Sequence, residues 1–125
     1  MKVFRRIFAL LLVVALMAAM PLSTFAASAS RTVRYSGYDY DCYAQCGSTT
    51  AYASTDTECS TSRVKAYAAA YRGTTFVQDL DSGYVCNTAS VYFSSLAPHT
   101  KLCAKHHVRD VDGTVLLYEH TVLCS

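Results

Sequence analysis

Six cysteines and four histidines are the residues of this chain best suited to chemistry. The cysteines are Cys42, Cys46, Cys59, Cys86, Cys103 and Cys124, and no thiol precedes Cys42. An even set of cysteines behind a secretion signal in a short chain predicts a disulfide framework. All six are expected to be oxidised, with their pairing left open. Cys42-Tyr43-Ala44-Gln45-Cys46 is a C-x3-C. Zinc sites repeat such close pairs or join them to a histidine pair, and redox pairs are C-x-x-C beside a βαβ unit. The remaining four cysteines stand singly, so neither a catalytic thiol nor a cofactor is expected.

The histidines are His99, His106, His107 and His120. Their use depends on the hairpin around Asp110-Val111-Asp112-Gly113, because Asp-Gly between apolar runs marks a tight turn. A two-residue turn at Asp112-Gly113 would set Lys105 opposite His120. A three-residue loop with Gly113 left-handed pairs Asp110 with Thr114. That register sets Lys105 opposite Glu119, Val108 opposite Leu116 and Leu102 opposite Val122. Opposite charges and matched apolar residues favour this second register by about 0.2–1 kcal/mol per pair. It turns Leu102, Ala104, His106, Val108, Leu116, Tyr118, His120 and Val122 inward. His106 and His120 then become diagonal neighbours on one face, the two candidate metal ligands of the chain. A third ligand is missing from that face, and zinc takes three or four protein ligands, so no metal is expected.

Hydrolysis needs a nucleophile, a base and an orienting group that converge. The chain has no G-x-S-x-G, no H-E-x-x-H and no glycine-rich phosphate loop. Serines, histidines and acids are present in numbers that allow many triads on paper and single out none. No catalytic residue is assigned.

Ten tyrosines and no tryptophan are the other bias. Tyrosine joins a flat apolar ring to a polar tip and suits recognition surfaces. Tyr35, Tyr38, Tyr40 and Tyr43 crowd one segment and are the candidate binding surface. The competing reading is that tyrosine simply fits a pleated sheet.

The elements that must place these groups follow a leader. Residues 1–29 have a basic start (Lys2, Arg5, Arg6), an apolar run from Ile7 to Met20, a break at Pro21 and small residues at two cleavage points. This is the pattern of a secretory signal peptide, cut after Ala26 or Ala29. The apolar run falls short of the roughly 20 residues that span a bilayer. No membrane anchor is expected after cleavage. Residues 30–125 are then one secreted domain. It carries eight Lys and Arg against nine Asp and Glu, a formal charge of −1. The whole-chain pI of 8.2 reflects the leader, and no basic stripe is left for nucleic acid.

Short runs rich in Thr, Val, Ala and Tyr recur at Thr49–Ser54, Val64–Ala69, Thr88–Phe93 and Val115–His120. Such runs at short spacing predict an all-β fold, a small disulfide-stapled antiparallel β-sandwich or barrel. The alternative is α+β, with one short helix over 62–72, since Val64, Tyr67, Ala68 and Tyr71 also share a helical face. Strand is preferred there. Thr32 to Tyr35 reads as a short strand, followed by a turn-rich crossing.

The sequence thus describes a secreted, disulfide-rich β-domain that acts as a non-catalytic binding module on an extracellular protein or glycan. Two other functions fit the same features. One is a bacteriocin-like antagonistic toxin. The other is a small extracellular hydrolase or metal-binding protein.

Overall fold

Asp39-Tyr40-Asp41-Cys42-Tyr43-Ala44-Gln45-Cys46 alternates with period two, which sends successive side chains to opposite faces of a strand. In the computed structural model, which describes residues 27–124, Tyr40, Cys42, Ala44 and Cys46 are buried and the residues between them face outward. Among the described residues there are eight strands: β1 (Ala27–Tyr35), β2 (Tyr38–Cys46), β3 (Ala51–Thr57), β4 (Arg63–Arg72), β5 (Thr75–Asp81), β6 (Thr88–Phe93), β7 (Lys101–Asp110) and β8 (Gly113–Leu123). They form two antiparallel four-stranded sheets, β1-β2-β3-β6 and β5-β4-β7-β8. The sheets pack face to face as a sandwich. The all-β expectation holds. Among the described residues no helix is long and apolar enough to cross a membrane.

Three of the Thr/Val/Ala/Tyr runs lie wholly in strands, and the first enters β3 at Ala51. Arg63–Arg72 is strand β4, so the helix alternative over 62–72 is corrected. β4 is hydrogen-bonded on both sides, to β5 and β7. Its inner residues Val64, Ala66, Ala68 and Ala70 are fully buried. Period two buries a whole row of small side chains there. A helix would have buried Tyr67 and Tyr71 instead.

The turn-rich crossing expected after Tyr35 is also corrected. β1 and β2 form one long hairpin paired from Ala27↔Cys46 to Tyr35↔Tyr38. Ser36 and Gly37 make its two-residue turn, both with positive φ, 52° and 85°. That backbone matches the twist of the flanking strands. The acids that suggested a crossing lie on the solvent face of β2.

The β7–β8 hairpin departs from the preferred register near its turn. Asp110 pairs with Gly113 and Val108 with Val115, not with Leu116. The Asp110 carboxylate accepts the Asp112 N–H at 2.8 Å, which fixes a tighter turn at Val111-Asp112. A bulge between His106 and His107 absorbs the offset. Beyond it Lys105 faces Glu119 and Leu102 faces Val122, as expected. The bulge exposes Leu116 and turns Leu117 toward the core.

The core has two apolar clusters. One gathers Ala44, Ala53, Ala68, Ala70, Phe93, Leu102 and Val122 among others. The second contains Tyr40, Cys59, Val64, Ala66, Ala89 and Val108. Alanines dominate the middle of both sheets, so little apolar area is buried per residue. One covalent clamp compensates. Cys46 and Cys124 form a disulfide across 78 residues of sequence. Closing a loop of that length restricts the unfolded chain by about 4.5 kcal/mol in the chain-entropy account.

Of the six cysteines expected to pair, the described residues join Cys46 with Cys124 and leave Cys42, Cys59, Cys86 and Cys103 unbridged. Strand alternation separates Cys42, on the inner face of β2, from Cys103, on the outer face of β7. Cys59 points into the second cluster while Cys86 is exposed.

The leader expected over 1–29 lies outside the described residues except for its last three. Ala27 and Ala29 open β1 and pack against the first core cluster. A cut after Ala26 preserves them and a cut after Ala29 removes them. Intact mass of exported protein is expected to place the first residue at Ala27. A start at Ser30 would show that β1 forms without its first three residues.

Candidate functional site

Between the two apolar clusters runs a layer of polar residues. On β7 the inward row is Leu102, Ala104, His106 and Val108, so the histidine interrupts an apolar face. On β2 the interruption is Cys42 and on β3 it is Thr55, which stand directly opposite each other in the register. Strand β8 adds His120 and Tyr118. The seam therefore spans both sheets.

Its hydrogen bonds fix the proton on each ring. Thr55 donates its hydroxyl proton to the Lys65 carbonyl at 3.1 Å. It must then accept from His106 Nδ1, at 2.8 Å. His106 Nε2 is left as an acceptor, and His120 Nε2 lies 2.9 Å away. His120 therefore carries its proton on Nε2 and donates it. Its Nδ1 is a bare lone pair, buried without a partner. The chain runs His120 to His106 to Thr55 to the Lys65 carbonyl, and both imidazoles are neutral.

Electrostatics agree. Burial, with the neighbouring His120 and His107, pushes His106 down to about 4. Burial also lowers His120. Burial pushes the Cys42 thiol up to about 12, with Asp41 adding to it, so Cys42 stays protonated. Tyr118 lies tilted against His120, with centroids 4.9 Å apart and ring planes at 57°. Arg31 lies 5.1 Å over the Tyr118 ring, at the open end of the seam. His106 itself is fully buried.

This arrangement holds side chains rather than activating one. The Thr55 proton is committed to a main-chain carbonyl, and the basic nitrogen at the far end faces no hydroxyl or thiol. His106 and His120 do meet, as the sequence register predicts. The register also predicts Tyr118 on their face, whereas sequence reasoning missed Thr55, Cys42 and Arg31 as their company. The interruption of an apolar alternation at the same level of β2, β3 and β7 was the available signal. His107 faces outward, where burial and the charges of Lys65 and Lys105 lower it.

The candidate tyrosine surface is divided. Tyr35 and Tyr40 face inward as an edge-on pair with centroids 6.3 Å apart. Tyr40 is buried, its hydroxyl 3.1 Å from Ser62 Oγ, so it is withdrawn from the contact surface. Tyr38 stands at the rim of the sandwich. Tyr43 alone of the four lies on the outer face of the β1-β2-β3-β6 sheet. There it meets Tyr52 at 6.0 Å, and Tyr52 stands opposite Tyr92, which is 60% exposed. Ser54 and Ser90 pair in the middle of that face. At its far end a depression of about 840 Å³ is lined by Thr32, Arg34, Asp39, Asp41, Asp56 and Glu58, among others. Arg34 and Asp39 form an exposed ion pair at 3.1 Å.

Fold and surfaces together define a disulfide-clamped all-β sandwich with an aromatic and acidic outer face. No family model, curated protein or solved structure matches the chain.

Two outcomes follow from the seam. Thr55→Val keeps the shape but leaves the His106 Nδ1–H unpaired, and is expected to cost about 1–3 kcal/mol in urea unfolding. An unchanged midpoint would show that the ring finds another partner. The second outcome concerns pH. Depressed histidines favour the fold when neutral, so their stability is complete above the ordinary value of 6.5 and declines as pH falls toward about 4. For His106 alone the effect is on the order of 3 kcal/mol. The urea midpoint is expected to fall between about pH 7 and about pH 4.5, and less so in a His106→Leu/His120→Leu protein. An equal fall in both would place the acid sensitivity elsewhere.

Proposed function

We propose that this protein is an exported, non-catalytic binding module, and that its contact surface is the outer face of the β1-β2-β3-β6 sheet. The observation that carries the reading is the tyrosine row Tyr43, Tyr52 and Tyr92, which crosses three neighbouring strands. Three rings on one rigid sheet offer contact area at little cost in conformational entropy. The exposed Ser90 beside them and the carboxylates beyond supply hydrogen-bonding groups. A flat face of this kind suits a polar polymer such as a glycan, or an extended segment of an extracellular protein. The histidine seam supports a binding role over a catalytic one, because its only hydroxyl on the ring pair is spent inside the core. The Cys46–Cys124 bridge is compatible with an oxidising compartment outside the cytoplasm.

The test is a glycan and extracellular-matrix array followed by titration calorimetry on whatever binds. Tyr52→Ala and Tyr92→Ala are each expected to weaken binding by at least about 30-fold, the threshold of a recognition hot spot. Tyr40→Phe, an interior change, is expected to leave affinity intact. Binding that survives loss of both outer tyrosines would overturn the assignment of this face.

A further inference from the structure

The corner that the disulfide closes contains a third group. Cys46, at the end of β2, and Cys124, just past β8, are joined there. His99, in the connection between β6 and β7, brings a ring nitrogen to them. One ligand atom from each of the three residues lies within 4.8 Å of the other two. The histidine is oriented for the purpose. Its Nδ1 lies 2.9 Å from the Ala97 carbonyl, so Nδ1 carries the proton and donates it. The lone pair is then on Nε2, which is buried without a hydrogen-bond partner. A main-chain carbonyl on one ring nitrogen and a free lone pair on the other is how metal-binding histidines are held.

We propose that the reduced form of this corner is a binding site for a thiophilic divalent cation, zinc first, with Cys46, Cys124 and His99 as its protein ligands. A dithiol supplies two electrons and two protons, the sulfur–sulfur bond breaks, and the dithiol leaves as its own disulfide. The metal then displaces the two thiol protons to solvent and takes both thiolates and His99 Nε2. Two sulfurs and one imidazole form a soft donor set that zinc accepts in tetrahedral geometry, with the fourth position left to water. Ligand atoms of such a site stand about 3.5–3.8 Å apart, from metal–sulfur and metal–nitrogen bonds of about 2.3 and 2.0–2.1 Å. The ligand atoms are already gathered within 4.8 Å, and the Cys124 N–H, donated to the Thr100 carbonyl at 2.8 Å, holds that backbone in place, so the sulfurs separate by side-chain rotation. Oxidised, the corner is a clamp. Reduced, the metal replaces the bridge as the link between β2 and the end of β8. This inference does not depend on the binding face.

The experiment uses the whole exported protein, reduced with a phosphine and titrated with Co2+ and then Zn2+ in the absence of oxygen. One equivalent of Co2+ is expected to bind with thiolate-to-cobalt absorption and to be displaced by Zn2+. Zinc is expected to shield Cys46 and Cys124 from alkylation, as read by peptide mapping, while Cys86 stays reactive. A Cys86→Ser/Cys103→Ser protein is expected to behave like the parent. His99→Gln is expected to weaken zinc by at least about tenfold, since even an outer partner of a metal ligand is worth 10- to 100-fold. Cobalt bound without thiolate absorption, alkylation of Cys46 and Cys124 indifferent to zinc, or unchanged affinity in His99→Gln would each overturn the proposal.

Discussion

The hydrogen bond between His106 and His120 is the constraint around which the interior is arranged. Two imidazoles in a core demand that every proton have a destination, because an unmet polar group in that setting costs about 1–3 kcal/mol. Thr55 answers from the facing sheet and passes the demand to a main-chain carbonyl. The two sheets are therefore locked in relative position by polar contacts as well as by packing. Sliding one sheet by a residue would break the chain of donors at Thr55. A core this rich in alanine has few interlocking large side chains to specify alignment. The seam supplies that specificity, in the manner of a single polar residue that fixes the register of a coiled coil.

The seam also explains why the core is divided. Apolar residues gather in two groups, one toward the disulfide end and one toward Tyr40 and Ser62. Each group closes around small side chains. The clamp at Cys46 and Cys124 anchors the first group covalently. The second relies on contacts between hairpins, among them the Tyr35 hydroxyl donating to Asp110 at 3.2 Å, which ties the tip of the first hairpin to the tip of the last.

The strands were legible in the sequence wherever alternation was clean. The β4 segment shows why period two outweighs helical propensity once a partner lies on each side: a row of alanines becomes a closely packed face. The far half of the β7–β8 register could be read from Lys105 with Glu119 and Leu102 with Val122. The near half could not, because a side-chain-to-backbone bond at Asp110 chose the turn and a bulge repaid the offset. The long first hairpin was hidden by acids that look like a loop and prove to be its wet side. The meeting of His106 and His120 followed from register alone. Their partners on the other sheet did not, because nothing in one chain's local pattern says which levels of two sheets come to face each other. The histidine beside the disulfide was invisible for the same reason, since residues 46, 99 and 124 come together only through the fold.

The placement of the single bridge has a mechanical side. Everything from Cys46 to Cys124 is enclosed in one covalent ring, and of the described strands β1 and most of β2 lie before it. Tension applied to the two ends of the chain enters through β1 and β2, crosses the sulfur bond, and leaves at Cys124. Strands β3 to β8 stand off that load path. Under pulling, the first hairpin would peel like a zip, β1 from β2 and then β2 from β3, while the ring itself could not be drawn out.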